Sequence, residues 1–323
     1  MKLPRRKFLH LAAGAAALPV VSRIARAQSY PTRPVRIVVG FPAGNAPDTV
    51  ARLIGQGLSE RLNQPFVIEN RPGAASNIGT ELVVRAPADG YTLLLVVASN
   101  AYNVTLYPDL KFNFIQDIAP VARIGSGPFV LVVNPSFPAK TVPEFITHAK
   151  ANPGKVTMAS PGIGSANHIY GALFEMMTGI NLVHVPYRGS FMADLLSGQV
   201  QVLFGPLPLT IEYIRTGKLR ALAVTAGTRS ELLPDIPAID EFVQGYEASG
   251  WYGVGAPKGT PQPIIDKLNA SINAGLADPA MKARLANLGV TVLAGTPADF
   301  AKLIAEETDK WAKVVKLAGI KPE

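Results

Sequence analysis

Three junctions in the sequence place glycine, proline and small polar residues immediately after an apolar run. They read GFPAGNAPD (40–48), NRPGAASNIG (70–79) and SPGIGSANH (160–168). A helix that begins in such a junction presents unpaired N–H groups and a partial positive charge, which attract an anion. Glycine-rich turns add backbone N–H groups that can surround the same anion. Together the three junctions indicate a site for a small anionic ligand.

The candidate ligand-binding residues are those whose backbone or short polar side chain these junctions present. They are Phe41, Gly44, Asn45, Asp48, Ser76, Asn77, Gly162, Gly164, Ser165 and His168, together with Ser99 at the end of a further apolar run. A single junction of this kind is also what any α/β chain needs in order to reverse its direction. Asp48 has a second interpretation as a helix cap, and His168 as a capping or packing residue.

The sequence contains no strong catalytic pattern. GIGSAN lacks the third glycine of a dinucleotide fingerprint, and neither a phosphate-binding lysine loop nor a G-x-S-x-G motif occurs. The histidines after the leader have no i, i+4 partner of the kind that binds a metal on a helix. We therefore predict no metal and no cofactor. A secreted hydrolase or isomerase that uses Asp48 or His168 is the alternative from another class of protein.

Residues 1–27 have the composition of an export signal. They contain RRKFLH, the weakly apolar LAAGAAALPVV and the small-x-small sequence ARA. We expect cleavage after Ala27 and a periplasmic product. The paired arginines resemble a twin-arginine signal, and an ordinary secretory signal is the alternative. No later apolar run approaches the ~20 residues of a membrane helix, so we expect no membrane insertion of the mature chain.

Most of the formal charge of +8 belongs to this leader. Six of the 31 basic residues lie in the first 27 positions, which contain no acidic residue, so 25 basic residues face 23 acidic ones in the remainder. A nearly balanced mature chain has no electrostatic basis for binding nucleic acid. The absence of cysteine excludes disulfides and a lipid-anchoring thiol.

Ten short apolar runs alternate with amphipathic segments, which is typical of an α/β protein. The runs are 35–39, 66–70, 92–99, 129–134, 155–160, 182–187, 200–205, 219–224, 251–257 and 290–294. Their apolar residues are largely continuous, which favours mainly parallel sheets flanked by helices. Ten strands exceed one comfortable sheet, so we predict two lobes. Lobe 1 comprises 28–128 and 251–323, lobe 2 comprises 129–250, and the chain passes between them near 126–131 and 248–252.

Two helix starts are marked by their residue types. Thr141 with Glu144 fits a capping box, in which each residue satisfies an N–H group near the other. Thr296 followed by Pro297 fits an N-cap and a first helical position. Both patterns predict a helix that begins at the following residue.

Longer motifs carry a resemblance to a known family. They are PVRIVVGFPAGNAPDTVAR, FVIENRPGAASNIGTELVVRAPADGYTLLL, INLVHVPYRGS, GKLRALAVT and GWYGVGAPKGTP. From about Tyr30 onward the chain resembles the tripartite tricarboxylate transporter receptors, the Bug-type periplasmic solute-binding proteins. The resemblance implies a type II-like Venus flytrap that closes on a small organic carboxylate and delivers it to the membrane subunits of the transporter. It also implies no catalysis, and we expect a monomer. A sensory receptor that binds the same ligand is the other alternative.

The resemblance extends to particular positions. Residues 41–48 match the family's first ligand loop, where backbone groups and ordered waters typically hold the carboxylate, and 160–165 match the loop of the second lobe. Arg188 lies near that second loop and is a candidate to meet a distal charge, with an ordinary surface arginine as the equal alternative. Asn45 stands where the family usually has a glycine. The segment YRGSFMADLL is shorter than is usual, which brings 191–192 toward the second-lobe pocket and leaves a mono-, di- or aromatic carboxylate open.

Overall fold

The computed structural model describes residues 30–187 and 189–321. The predicted signal with its cleavage site, and Arg188, lie outside the described residues. The chain divides into two units, Met1–Thr32 and Arg33–Glu323. The second unit contains every described helix and strand.

Ten strands are formed by the described residues. They are β1 (Val35–Val39), β2 (Phe66–Asn70), β3 (Thr92–Val97), β4 (Ile118–Val133), β5 (Val156–Ser160), β6 (Leu182–Pro186), β7 (Val202–Pro206), β8 (Arg220–Val224), β9 (Ser249–Pro257) and β10 (Thr291–Val292). Each overlaps one of the ten predicted runs. The largest difference is β4, which begins at Ile118, well before the predicted run 129–134. Its first half contains proline, arginine and glycine, which hide the strand pattern.

The helices alternate with these strands. They are α1 (Ala46–Leu62), α2 (Asn77–Val84), α3 (Ala98–Leu106), α4 (Phe114–Asp117), α5 (Val142–Ala151), α6 (Ala166–Thr178), α7 (Met192–Ser197), α8 (Leu207–Arg215), α9 (Gln262–Ala277), α10 (Pro279–Asn287) and α11 (Pro297–Leu317). Short 3₁₀ turns occupy Ala74–Ser76 and Ile239–Glu241. Within the part of the chain that the structure describes, no helix is both long and apolar enough to cross a bilayer.

The two predicted helix starts are confirmed. The Thr141 hydroxyl accepts the N–H of Glu144 at 3.3 Å, and the Glu144 carboxylate accepts the N–H of Lys140. Thr296 and Asp299 each accept the backbone N–H of the other, at 3.1 and 2.8 Å. These side chains satisfy donors that the first helical turn leaves unpaired, and they set where α5 and α11 begin.

The strands pair in two groups that share β4. In the first group β1 lies parallel between β2 and β3, β9 pairs antiparallel with β3, and β10 adds to β4. In the second group β5 lies parallel between β6 and β7, while β7 and β8 pair antiparallel with β4. Strand β4 pairs with β9 up to Pro128 and with β7 from Phe129 onward. One long strand therefore connects both groups.

The α/β class is confirmed, and the strand directions are more mixed than the expected mainly parallel sheets. Four described pairings are parallel and five are antiparallel. The antiparallel pairings all involve β4 or β9, because the chain enters the second group along β4 and returns along β9. The parallel pairings are those whose strands are joined by crossover helices.

Aromatic residues pack where the two groups meet. Trp311 of α11 stacks on Tyr170 of α6 with ring centroids 5.1 Å apart, and its edge contacts Tyr102 of α3 at 6.1 Å. Tyr170 contacts Phe129 of β4 at 4.8 Å. Tyr102, Tyr170 and Trp311 have no more than 1% of their surface exposed. This packing ties α3, α6 and α11 to β4, and α6 is the helix that follows the junction at 160–168.

Candidate functional site

A cleft of about 960 Å³ opens where strand ends and helix starts converge. This is within the range of small-molecule binding sites. One wall comes from the first strand group, another from the second, and residues of β4 and β9 lie between them. The lining residues fall within 40–49, 72–76, 97–102, 161–167, 187–192, 206–209 and 250–252, with Phe129 and Leu288.

The first junction connects β1 to α1 and is held from behind by Asp48. The carboxylate accepts the N–H of Gly44 at 2.9 Å, Arg52 Nε at 2.9 Å and Asn70 Nδ2 at 2.9 Å. Burial raises the pKa of Asp48, and the hydrogen bonds from Arg52, Gly44 and Asn70 outweigh this and leave the pKa below its usual value. Asp48 is 2% exposed and does not line the cleft. It is not the helix cap either, since the N-cap position belongs to Asn45.

Asn70 supports the first junction and was not among the residues predicted from the sequence. Its side-chain amide donates to the carbonyl of Phe41 at 3.0 Å as well as to Asp48. These two hydrogen bonds connect both ends of the first junction, Phe41 and Asp48, to β2. The position of Asn70 in the sequence could have indicated this contact, because Asn70 ends a strand at the same edge of the sheet as Phe41.

The turn at 73–76 has an unusual backbone. Gly73 has a φ of 131°, and Ala74, Ala75 and Ser76 have φ values of 45°, 50° and 83°. Three successive residues with a side chain in the left-handed region are strained, and such strain clusters at functional sites. The Ala75 carbonyl accepts bonds from Ser99 Oγ at 3.2 Å and from Asn103 at 2.8 Å. These two bonds from α3 hold the turn.

This turn lies directly on β1. A methyl group at Gly40 would lie 1.9 Å from Ser76 Oγ and 2.6 Å from Ser76 Cα, so only glycine fits at the end of β1. Ser76 Oγ is buried without a hydrogen-bond partner among the described residues. The next residue, Asn77, points away from the cleft, where its side-chain oxygen accepts from Asn103 at 2.9 Å.

The junction at 160–168, called the second junction from here on because it lies across the cleft from the first, connects β5 to α6 and is held by two histidines. Nδ1 of His168 accepts the N–H of Gly164 at 3.2 Å, which places the proton of the neutral ring on Nε2. The ring stacks on His184 with centroids 3.7 Å apart and an interplanar angle of 3°. His184 Nε2 lies 2.6 Å from Ser160 Oγ at the start of the junction. Burial lowers the pKa of His168 to about 4, with a further contribution from His184.

Ser165 caps α6. Its hydroxyl donates to the carbonyl of Gly162 at 2.7 Å and accepts the N–H of His168 at 3.4 Å. Gly162 and Ser165 line the cleft, whereas Gly164 and His168 do not. The two histidines bond to the side of the junction that faces away from the cleft. Gly162 and Ser165 lie on the side that faces it.

Six helices begin at the cleft. Residues in or just before the first turns of α1, α2, α3, α6, α7 and α8 line it, and the first helical N–H groups have no partner within their own helix. No described lining residue is Asp, Glu, Lys, Arg or His. The electrostatic character of the described walls therefore comes from backbone N–H groups and helix dipoles, which favour an anion.

Aromatic side chains complete the walls. Trp251 of β9 lines the cleft, and its indole N–H donates to Glu307 Oε2 at 3.0 Å. Trp311 donates to the same oxygen at 2.8 Å. Tyr187 donates its hydroxyl to Asp194 at 2.8 Å. The sequence analysis did not assign Trp251 to the site, because its position depends on the pairing of β9 with β3 and β4.

Seven of the predicted residues line the cleft and four lie behind it. Those that line it are Phe41, Gly44, Asn45, Ser76, Ser99, Gly162 and Ser165. Those behind it are Asp48, Asn77, Gly164 and His168, whose side chains or N–H groups bond within the loops. Arg188 lies outside the described residues. Further lining residues include Tyr102, Phe129, Asn167, Tyr187, Phe191, Met192 and Tyr252.

An α/β chain whose glycine-rich strand ends and helix starts converge on one ligand-sized cleft has the construction of a solute-binding protein. The family model described as tripartite tricarboxylate transporter family receptor matches residues 50–320. The chain belongs to this family, which consists of periplasmic substrate-binding receptors and not of enzymes. The alternative of a hydrolase or isomerase is therefore wrong. Asp48 and His168, on which it relied, both face away from the cleft.

Named relatives share most of the chain. Protein BugT from Bordetella pertussis is 39% identical over 302 residues, which cover 91% of this chain and 92% of BugT. The structure of R. palustris Rpa4515 with adipate is similar with a TM-score of 0.84 and 36% identity, covering 91% of this chain and all of that one. MatC from Rhodopseudomonas palustris with bound malate has a TM-score of 0.80 and 32% identity, covering 88% of this chain and all of that one.

Proposed function

We propose that this chain is a periplasmic receptor that binds a small organic carboxylate in the cleft and delivers it to the membrane subunits of a tripartite transporter. The observation that carries the proposal is the convergence of six helix starts on a cleft whose described lining has no charged side chain. Family membership supports the transporter partnership. The adipate and malate bound to two relatives support a carboxylate as the ligand.

Backbone donors suit a carboxylate. Each helix start carries about half a positive charge, and each favourable contact with an anion contributes typically 0.3–1 kcal/mol, rising in buried geometry. We assign direct contact to the junction residues that line the cleft, and a supporting role to Asp48, Asn77, Gly164 and His168. Arg188 stays a candidate for a distal charge.

We further propose that the cleft closes by relative movement of the two lobes, residues 28–128 with 251–323 and residues 129–250. The change of partner along β4 at Phe129 supports this boundary. Closure of a monomer predicts a ligand-dependent decrease in the radius of gyration, measurable by small-angle scattering. An unchanged radius at saturating ligand contradicts closure while leaving binding intact.

The binding proposal is tested by thermal melts of the mature chain, refolded to remove carried ligand. A carboxylate at a hundredfold excess over Kd should stabilise the protein by about 2.7 kcal/mol and raise Tm by several degrees. The matching amide should not. If no acid among mono-, di-, tri- and aromatic carboxylates raises Tm while a neutral sugar does, the proposal is wrong.

A substitution can remove one proposed backbone donor without altering a side chain of the wall. Ala166 is the first residue of α6 and lines the cleft, and proline is well tolerated at a first helical position. Ala166→Pro should therefore keep the Tm of the free protein and weaken carboxylate binding about tenfold. Gln262→Pro makes the same change at the start of α9, which does not line the cleft, and should not affect affinity.

A further inference from the structure

The polar side chains of the cleft wall donate their hydrogens to the protein itself. Ser99 Oγ donates to the carbonyl of Ala75 at 3.2 Å, and Ser165 Oγ donates to the carbonyl of Gly162 at 2.7 Å. Thr49 Oγ1 donates to a backbone carbonyl of its own helix start at 3.2 Å. These three hydroxyls keep lone pairs but have no hydrogen to offer a ligand.

Three larger side chains of the wall also donate within the protein, and of these the amide of Asn167 keeps a second hydrogen. Asn167 Nδ2 donates to the carbonyl of Phe204 at 2.7 Å, Tyr187 to Asp194 at 2.8 Å, and Trp251 to Glu307 at 3.0 Å. Each of these bonds points the donor away from the cleft. Asn167 donates to a buried carbonyl, and breaking that bond would cost free energy, so it persists when ligand binds.

Few other side-chain donors remain in the described wall. Asn45 and Ser190 are exposed at the cleft and keep their donors, and Tyr252 is half-buried. Ser76 and Tyr102 are buried with 0% and 1% of their surface accessible. The rest of the lining is largely hydrocarbon, with Phe41, Val97, Phe129, Ile163, Phe191 and Met192 as its larger side chains.

A hydroxylated ligand is disfavoured by such a wall. A ligand hydroxyl can donate to a serine oxygen, but its own oxygen gives up hydrogen bonds from water at a wall whose described side chains offer few donors, and it must compete with the carboxylate for the backbone N–H groups of the helix starts. Leaving a buried polar group unsatisfied typically costs enough to weaken binding by about fivefold to a hundredfold. Each additional hydroxyl on the ligand repeats this cost.

An amino group is disfavoured for an electrostatic reason. An ammonium group in the cleft would face six helix starts of its own sign, and no described lining residue is Asp or Glu. The carboxylate of the ligand has the opposite sign and meets those helix starts favourably.

We infer that the ligand is a carboxylate with an unsubstituted hydrocarbon body, aliphatic or aromatic, and neither a hydroxy acid nor an amino acid. The inference rests on the proposed function and narrows its ligand. In ligand type, this inference makes the cleft similar to that of Rpa4515, which has adipate bound, and unlike that of MatC, which has malate bound. Apolar contact with the hydrocarbon body provides the affinity that side-chain donors do not.

Matched acids test the inference by calorimetry on the mature protein. Succinate, malate and aspartate share a four-carbon diacid skeleton, and adipate and galactarate share a six-carbon one. The unsubstituted acid of each set should bind at least tenfold more tightly than its hydroxylated or aminated counterparts. Butyrate, hexanoate and benzoate extend the unsubstituted set to monoacids.

The outcomes separate this inference from the proposed function. Equal or tighter binding of malate, aspartate or galactarate overturns the inference while carboxylate binding stands. Binding of malate that Arg188→Ala abolishes also overturns it and assigns the preference to Arg188. The proposed function itself fails if none of the acids binds.

A substitution behind the wall provides a second test. Asp194 accepts the Tyr187 hydroxyl, so Asp194→Ala should release that donor toward the cleft and narrow the preference for adipate over galactarate severalfold. In a Tyr187→Phe background the same substitution should not narrow the preference. If the preference is unchanged when Asp194 is replaced in the wild-type background and the protein folds, the internal bonds do not determine the ligand class.

Discussion

The two junctions that face each other across the cleft have the same backbone construction and different charges. In the first, Asp48 accepts the N–H of Gly44 at 2.9 Å, and in the second, His168 accepts the N–H of Gly164 at 3.2 Å. Each acceptor is the third residue of its helix and lies four residues after its glycine. The first acceptor is a carboxylate paired with Arg52, whereas the second is a neutral ring stacked on His184.

This difference shows that the shape of a ligand loop and the charge beneath it can be set separately. Both acceptors hold a glycine N–H behind the loop and leave other N–H groups directed at the cleft. The carboxylate performs this at any pH above its lowered pKa, while the imidazole performs it only when neutral. The second junction is therefore the pH-sensitive one.

The largest expected effect concerns the close contact beneath the first junction. Gly40→Ala places a methyl group 1.9 Å from Ser76 Oγ and 2.6 Å from Ser76 Cα, so the backbone must move, and we expect a loss of about 3 kcal/mol in the free energy of unfolding. Gly162→Ala in the second junction meets no atom within 4 Å, and its φ of 134° predicts about 1–2 kcal/mol. Chemical denaturation measures both. Gly227→Ala, with ordinary contacts to Glu247, is the control. If Gly40→Ala and Gly162→Ala lower the free energy of unfolding equally, the expected difference between the two junctions is wrong.

The second effect is the pH dependence of the second junction. The unfolded chain binds a proton at a histidine pKa near 6.5, whereas the folded His168 has a pKa of about 4. Its contribution to stability is therefore complete above about pH 6.5 and is lost as the pH falls through about 4, by up to roughly 3 kcal/mol. His168→Asn keeps an acceptor for Gly164 and should flatten this part of the profile in denaturation series. An unchanged slope between pH 6.5 and 4 would contradict the assignment.

A smaller effect is expected for the carboxylate of the first junction. Asp48→Asn retains one oxygen for Gly44 or Asn70 but loses the charge that Arg52 contacts, and we expect a loss of about 2 kcal/mol. Affinity for carboxylates should fall as the loop loosens. Glu212→Gln, which breaks an exposed pair with Arg215, should cost less than about 0.5 kcal/mol and serves as the control. Unchanged stability and affinity would show that the carboxylate is dispensable.

The smallest effect is expected for the partner of that carboxylate. Arg52 is about half exposed, so Arg52→Met removes a partly solvated ion pair and should cost about 0.5–1 kcal/mol. Asp48 keeps the bonds from Gly44 and Asn70 in this variant. Thermal melts at low and moderate salt measure this loss of stability. A loss above about 2 kcal/mol would mean that the charge pair, and not the N–H bonds, holds the first junction.

Local patterns predicted the elements better than they predicted side-chain direction. Apolar runs located the ten strands, and the caps at Thr141 and Thr296 located two helix starts, because these signals act within a few residues. They did not show that Asp48 turns behind its loop. That direction depends on Asn70, which reaches the loop only through the pairing of β1 with β2.

The aromatic residues of the cleft wall and the strand directions also could not be predicted from local patterns. Trp251 and Phe129 enter the cleft because β9 pairs antiparallel with β4, a contact between segments more than a hundred residues apart. Glycine content identified the loops that line the cleft through their need for unusual backbone angles, but Ala75 and Ser76 adopt such angles without being glycine. The bonds from Ser99 and Asn103 that hold this turn are likewise non-local.

The shared hydrogen bond acceptor of the two tryptophans has an optical consequence. The chain has only Trp251 and Trp311, and both indole N–H groups contact the same oxygen of Glu307. Because Trp251 lines the cleft and Trp311 stacks beneath it on Tyr170, all indole fluorescence originates at the floor of the cleft. The proposed ligand entry and closure can be tested by the intrinsic emission of the unlabelled protein, in stopped-flow experiments and without any introduced dye.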